Sequence, residues 1–153
     1  MLIKKIKQDL VDHIKSGDKI KISITRLLLA ALKDKEISLR NSQDFDELIN
    51  DNIVMEIINK MIKQRKIAAQ TYIEAKRPDL AEKEHEESEL LSHYLPSQLS
   101  EDQLNVKVEE IIKEVDAKSL RDMSKVMKII KENLSGKCDM QMASNLVKSK
   151  LPG

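Results

Sequence analysis

Side chains able to do chemistry are few in this sequence. His13, His85 and His93 are its only histidines, and Cys138 is its only cysteine. Catalysis needs nucleophiles, bases or metal ligands gathered in one place. The sequence contains no phosphate-binding Walker loop, no G-x-G-x-x-G motif and no Cys-x-x-Cys pair. We therefore expect no catalytic residues, no cofactor and no autonomous enzyme activity.

One short motif has the spacing of metal ligands. Glu82 and His85 form a Glu-x-x-His pair, which places both side chains on one helix face, and His93 follows eight residues later. Di-iron helical bundles use this motif on two helices, together with two further glutamates. It occurs once here, so we predict a solvated acidic face and no metal site, with a surface metal site as the alternative.

Cys138 lies beside Lys137, at the start of a predicted helix. That position can lower the pKa of a thiol. We favour the alternative that Cys138 is a small, buried or half-buried residue with a structural role. A lone cysteine excludes an internal disulfide framework and indicates a reducing compartment, so we predict a cytoplasmic location.

The stronger signal is a set of basic residues in the sixth predicted helix. At about 100° per residue, its four cations fall within a sector of roughly 80°, opposite the apolar residues. Charge of this kind binds phosphates without reading bases. With one Phe, two Tyr and no Trp, aromatic side chains for stacking on unpaired bases are scarce. We predict that the backbone of a structured RNA is bound by Lys118, Arg121, Lys125, Lys128, Lys137 and Lys148. An ordinary solvated amphipathic face is the alternative.

Charge is uneven along the chain, although the net charge is only +1. Residues 1–43 carry ten Lys/Arg against five Asp/Glu, residues 44–116 nine against eighteen, and residues 117–153 eight against three. Such asymmetry can steer an anionic partner to one end of a molecule. Pairing between basic and acidic helices inside the molecule explains it equally well.

The apolar residues recur at helical spacing, with few aromatics and only three Gly and three Pro. This pattern predicts an all-α fold: a four-helix N-terminal region with one long helix, followed by a three-helix C-terminal bundle. The first four helices are expected at 2–15, 19–40, 45–76 and 79–93. The last three are expected from Ser100 to about Val115, from Ser119 to just before Gly136, and after Asp139.

The same spacing predicts which side chains face inward. In the first helix these include Ile3, Ile6, Leu10 and Ile14. In the second and third helices the inward set includes Ile20, Ile24, Leu27, Leu28, Leu32, Ile49, Ile58 and Ile73.

Tyr94-Leu95-Pro96 is the best candidate for a linker, because a residue before proline is pushed out of helical geometry. We predict domains at 1–95 and 96–153. The longest apolar run, from Leu27 to Leu32, is six residues, whereas a membrane span needs about 20. The basic N-terminal segment carries Asp9 and Asp12, so we expect an ordinary first helix and not a transit peptide.

Several segments together resemble the YqeY-like family, over essentially the whole chain. They are the segment 26–33 (RLLLAALK), Tyr94-Leu95-Pro96, Gln98-Leu99-Ser100, Lys125-Val126-Met127, Gly136-Lys137 with Asp139, and Leu146-Val147-Lys148. The resemblance implies an all-α fold. It also implies a C-terminal part similar to the tail of the B subunit of the glutamine-dependent aspartyl/glutamyl-tRNA amidotransferase, where the tail contacts tRNA.

The resemblance therefore implies a tRNA-associated accessory protein related to a carbon–nitrogen ligase but without its catalytic parts. An amidotransferase or an aminoacyl-tRNA synthetase is the implied protein partner. The matching positions are Lys125, Val126, Met127, Gly136, Lys137, Asp139, Val147 and Lys148. Two positions depart from the family pattern, since Ser124 and Met140 stand where the family usually has glycine.

A different function is open as well. The chain could be a helical protein-interaction adaptor that presents an exposed apolar stripe on its long third helix and acidic fourth helix, for a synthetase or an amidotransferase complex.

Overall fold

The computed structural model describes residues 1–40 and 49–153, and within these ranges every regular element is helical. The all-α prediction is confirmed. The α-helices are α1 (Leu2–Ser16), α2 (Lys19–Arg40), α3 (Asp51–Glu74), α4 (Pro78–Ser92), α5 (Glu101–Glu114), α6 (Met123–Leu134) and α7 (Met140–Lys150), and a 3-10 turn (Leu120–Asp122) precedes α6.

The chain divides into two compact units, Met1–Leu95 and Pro96–Gly153. We call them unit 1, which contains α1 to α4, and unit 2, which contains α5 to α7. That each unit folds as an independent domain stays a prediction.

Most helix ends lie where the sequence predicts them, because the capping residues act as expected. Gly17 takes the left-handed conformation, with φ 74°, and closes α1 by donating its N–H to the His13 carbonyl. The Ser100 side chain accepts from Gln103 N, and the Gln103 side chain accepts from Ser100 N, which makes a capping box at the start of α5. Asp139 caps α7 by accepting from Gln141 N at 3.0 Å.

The third helix is shorter than predicted. Its expected start at Phe45, and the expected polar break before it, lie outside the described residues. Asn50 is the N-cap of α3, since its side chain accepts from Ile53 N at 2.9 Å, and so Ile49 precedes the helix. At the other end α3 stops at Glu74, because Lys76 takes a left-handed φ of 60°.

Unit 1 has its own apolar core, drawn from all four helices. Its buried members are Ile6, Ile24, Leu28, Leu32, Ile49, Val54, Ile58, Met61 and Leu91. A largely buried ion pair joins α3 to α4, where Arg65 Nε donates to Glu87 Oε2 at 2.9 Å.

Four residues expected to face inward are exposed instead: Ile14, Ile20, Leu27 and Ile73. In α2 the buried apolar residues are Ile24, Leu28 and Leu32, a single row spaced four residues apart. Leu27 lies about 100° around the helix from Leu28, and 48% of it is accessible to solvent. The set of α2 residues predicted to face inward was therefore wider than the row of residues that packs into the core of unit 1.

Unit 2 packs its three helices around a second core. The buried residues are Leu104, Val108, Ile111, Val126, Ile130, Leu134, Cys138, Ala143, Val147 and Leu151. No helix formed by residues 1–40 or 49–153 has the length and apolar content needed to cross a membrane.

Candidate nucleic-acid interface

The cations of α6 stand opposite its buried face. Val126, Ile130 and Leu134 recur every four residues and enter the core of unit 2. Lys125 and Lys128 are exposed on the other side. One helix thus secures the core with one face and presents positive charge with the other.

The sequence analysis missed a third cation on this face. Lys131 is exposed, lies three residues beyond Lys128, and makes no ion pair within the described chain. Spacing of i, i+3 and i+6 keeps three side chains within a sector of about 120°, a signal that was already visible in the sequence. We call Lys125, Lys128 and Lys131 the α6 basic stripe.

Lys118 and Arg121 do not belong to that helix, and the prediction of four cations on one helix is wrong in this respect. Lys118 precedes the 3-10 turn and Arg121 lies within it. Ser119 and Asp122 hold the turn: Asp122 Oδ2 accepts from the backbone N–H groups of Lys118, at 2.9 Å, and Ser119, at 3.3 Å. Residues 120–122 form the 3-10 turn, and the α-helix begins at Met123.

Two of the predicted cations have acidic neighbours. Lys118 Nζ lies 3.3 Å from Asp116, with about four-fifths of each side chain exposed, at 77% and 80%. Lys125 Nζ lies 4.0 Å from Asp122. Ion pairs this exposed contribute little and exchange readily with other anions. Both lysine side chains therefore remain accessible to other anions.

The carboxylate of Asp122 is held in its charged form. Its pKa lies below the ordinary value because it accepts hydrogen bonds from the backbone of Lys118 and Ser119, with smaller help from Lys125 and Lys118 charges. Asp122 is thus a structural anion within an otherwise basic region.

The remaining predicted cations are exposed and form no ion pair with any described residue. They are Arg121 in the 3-10 turn, Lys128 on α6, Lys137 in the turn after α6, and Lys148 in the last turn of α7.

One lysine of α7 pairs with an acid of another helix. Lys150 Nζ on α7 donates to Glu109 Oε1 on α5 at 2.7 Å, and that contact lowers the pKa of Glu109. Unit 2 as a whole carries ten Lys/Arg against nine Asp/Glu, a net charge of +1. The excess of positive charge in unit 2 lies in residues 117–153, which carry eight Lys/Arg against three Asp/Glu.

Two segments that carry the family resemblance bond directly to each other. Gln98 Nε2 donates to the carbonyl of Gly136 at 2.6 Å, and Leu99 N donates to the carbonyl of Lys137 at 2.8 Å. Gly136 adopts φ 76°, a conformation that favours glycine. These residues fix the chain entering unit 2 against the turn after α6, a contact that sequence spacing could not reveal.

The positions carried over from the family fall into two classes. Val126 and Val147 are core residues, Gly136 forms the turn and Asp139 is a helix cap. Lys125, Lys137 and Lys148 are exposed. At Ser124 and Met140, where the family usually has glycine, the backbone is helical, so a side chain causes no strain.

Cys138 and the Glu-x-x-His pair form neither a reactive thiol nor a metal site. Cys138 is buried in the core of unit 2, where burial, with a smaller effect of Asp139, raises the pKa of its thiol. The environment therefore opposes thiolate formation. In the described ranges no cluster of three or more His, Cys, Asp or Glu side chains could hold a metal ion, and that includes the surroundings of Glu82 and His85.

Comparison with known proteins gives one family and one group of relatives. A family model described as "Yqey-like protein" matches residues 3–151. Relatives named "Altered inheritance of mitochondria protein 41, mitochondrial" include one from Vanderwaltozyma polyspora, 32% identical over 74% of this chain and 60% of its own length. One from Clavispora lusitaniae is 25% identical over 99% of this chain and 85% of its own length.

The alignments with the first three relatives cover only 60%, 59% and 45% of those proteins. The names of these relatives place them in mitochondria. The predicted cytoplasmic location is contradicted by these names. The prediction failed because reducing conditions are found in other compartments besides the cytosol. One cysteine therefore does not show in which of them a protein lies.

Proposed function

We infer that this chain, which belongs to the YqeY-like family, is a non-catalytic accessory protein that binds the phosphate backbone of structured RNA, with tRNA as the favoured target. The observation that carries the proposal is the α6 basic stripe. Its three lysines project from a helix whose opposite face is locked into the core of unit 2.

Charge and aromatic content together favour a backbone contact. Exposed lysines and arginines bind phosphates by releasing condensed counterions, without reading sequence. Residues 96–153 contain no Phe, Tyr or Trp, so unit 2 has no platform on which unpaired bases could stack. A folded RNA, whose shape presents phosphates at fixed positions, fits this surface better than a single strand.

The resemblance of the C-terminal part to an amidotransferase tail suggests the setting for this role. We propose that the chain assists a tRNA-dependent amidotransferase or an aminoacyl-tRNA synthetase by holding RNA. The reaction itself would belong to the partner, since the only cysteine, Cys138, is buried in the core of unit 2.

The test is a charge reversal with a matched control. Lys125→Glu, Lys128→Glu and Lys131→Glu are combined in one variant. Its control combines Lys60→Glu, Lys66→Glu and Lys83→Glu, which make the same change in net charge at exposed positions of unit 1. Binding of fluorescent tRNA is followed by anisotropy as salt is raised, and helicity is checked by circular dichroism.

We expect the unmodified protein to bind more weakly as salt rises. Removal of three phosphate contacts should reduce the slope of log affinity against log salt by about 2 to 3. The unit 1 control should keep most of the slope. Equal losses in both variants, or no loss in either, would contradict an RNA surface on α6.

An adaptor role has its own supporting observation. The sequence placed an exposed apolar groove or stripe on α3 and α4. On α3 the large exposed apolar residues are Ile67 and Ile73, and the polar Gln70 lies between them, so they form no continuous apolar stripe. An open groove of about 630 Å³ between α1 and α2 is a better surface. It is lined by Ile14, Lys19, Ile22, Ser23, Arg26, Leu27 and Ala30.

Ile14 and Leu27 are each about half exposed in this groove, and its only charged residues are Lys19 and Arg26. An acidic amphipathic helix of a partner protein would complement it. Pull-down after nuclease treatment should lose this partner with Leu27→Glu and keep it with the α6 charge reversal. The reverse pattern would favour the RNA role alone.

A further inference from the structure

Unit 1 contains a cleft of about 180 Å³ where α1 and α2 meet the C-terminal end of α4. Its floor is formed by the apolar Ile24, Leu28, Leu90 and Leu91 with the buried Thr25, and its rim carries Lys5, Asp9, His13, Lys21, His93 and Tyr94. The volume is well above the roughly 30 Å³ that one water molecule occupies in the liquid.

Among the described residues that line the cleft, one is acidic, and one of its two carboxylate oxygens accepts a hydrogen bond. The Tyr94 hydroxyl donates to Asp9 Oδ2 at 2.5 Å, across 85 residues of sequence. Burial, and then the hydrogen bond and charge of Asp9, raise the pKa of Tyr94 above its ordinary value. The hydroxyl therefore stays protonated at neutral pH and keeps its bond to the carboxylate.

The cationic groups of the rim are much less engaged. Lys5 Nζ lies 5.9 Å from the centre of the Tyr94 ring, which holds the ammonium group at the rim. Lys21 Nζ has one exposed neighbour, Asp18, at 3.7 Å. His13 and His93 also line the cleft, and His93 is exposed.

The balance of cationic and acidic side chains in the cleft indicates which class of ligand it can bind. Two lysines and two histidines line the cleft against one carboxylate among the described lining residues, and Tyr94 donates to one oxygen of that carboxylate. A metal cation would lack ligands, since oxygen donors of the rim are few. An anion with several acceptor oxygens could take bonds from donors on all three helices at once, and the apolar floor would strengthen each of them.

We propose that this cleft is a binding site for a phosphate group, supplied by inorganic phosphate or by a nucleotide monophosphate. It lies in unit 1 and is independent of the α6 basic stripe. Lys5, Lys21, His13 and His93 are the donors, and Tyr94 with Asp9 fixes the rim on which Lys5 is held.

The test uses the whole chain, with inorganic phosphate and adenosine 5′-monophosphate as separate probes at constant ionic strength. Binding is measured by calorimetry and by shifts of the histidine ring resonances in NMR spectra. The site variant is Lys5→Gln with Lys21→Gln. The control is Lys4→Gln with Lys7→Gln, two exposed lysines of α1 that do not line the cleft.

We expect saturable binding that shifts the rings of His13 and His93, leaves His85 unmoved, and weakens at least tenfold in the site variant only. Tighter binding of the nucleotide than of inorganic phosphate would identify a monoester site, and equal binding a free-phosphate site. Absence of saturation with both probes, the same shifts with chloride, or equal weakening in the Lys4/Lys7 control would overturn the proposal. The α6 charge reversal should leave this binding intact, which separates its outcome from that of the RNA proposal.

Discussion

The pair formed by Arg65 and Glu87 shows how a single contact can decide the stability of unit 1. Only 13% and 9% of these side chains are exposed, and Arg65 also donates from Nη1 to the Met61 carbonyl at 3.3 Å. Removing one member of a buried pair strands the other charge in a poorly solvated site. The pair joins α3 to α4, and because both side chains are largely buried its energetics are those of a buried ion pair.

We expect Glu87→Ala to lower the free energy of unfolding by about 3–5 kcal/mol, measured by urea denaturation. The double variant Arg65→Met with Glu87→Leu removes both charges and should recover most of that loss. A loss well under 1 kcal/mol in Glu87→Ala would mean that water solvates Arg65 after all.

Tyr94 makes stability depend on alkaline pH. Its raised pKa means that the unfolded chain loses the phenolic proton before the folded chain does. The contribution of Tyr94 is thus fully present below the ordinary tyrosine pKa of about 10, and it is lost as the pH rises beyond that value.

We expect the unfolding free energy to fall more steeply above about pH 10 in the unmodified protein than in Tyr94→Phe. Phenolate absorbance during an alkaline titration provides the direct check. Equal pH dependence of the two proteins would show that neither burial nor Asp9 raises the pKa of Tyr94 in solution.

At the scale of helices, α2 shows that hydrophobicity alone does not determine burial. Leu27 and Leu28 are neighbours with the same side chain, yet Leu28 is wholly buried and Leu27 is about half exposed. We expect Leu28→Ala to lower the unfolding free energy by about 2–5 kcal/mol. Leu27→Ala should change it by no more than about 0.5 kcal/mol. Similar losses in urea denaturation would mean that the outer groove is covered in solution.

Local chemistry made several helix ends predictable. Gly17, Ser100 and Asp139 act within three or four residues of themselves, so their capping roles are legible in sequence. The start of α6 was less predictable, because a capping box at Ser119 is compatible with a 3-10 turn as well as with an α-helix.

Contacts distant in sequence could not be predicted in the same way. Gln98 meets Gly136 across 38 residues, and Tyr94 meets Asp9 across 85. Spacing rules assign a face to a side chain but not its partner on another element. The α6 basic stripe was therefore partly predictable, whereas the cleft of unit 1 was not.

At the scale of the whole molecule, the three charge blocks of the sequence do not coincide with the two units. Unit 1 carries seventeen Lys/Arg against seventeen Asp/Glu, and unit 2 ten against nine. Neither unit is a generic binder of polyanions on net charge. Under the proposed role, affinity for RNA would come from the local arrangement of the exposed cations of α6 and its flanking turns.

Unit 2 is small for a domain that folds on its own. It has 58 residues, and a domain of about 60 residues buries only about 60% of the surface that its unfolded chain exposes. Its core nevertheless draws on all three helices, and the turn at Gly136 and Lys137 bonds to Gln98 and Leu99 at the start of the same unit. These contacts close the unit on itself.

We therefore expect the fragment 96–153 to fold, with helical circular dichroism and a single cooperative thermal transition, and to bind tRNA with a salt slope close to that of the whole chain. The Val126→Ala fragment is the internal control: it removes a fully buried side chain and should lower the melting temperature without changing surface charge. A fragment that melts without cooperativity would show that unit 2 is not an autonomous domain. One that folds but does not bind tRNA would instead assign RNA contact, if the whole chain has it, to residues outside α5 to α7.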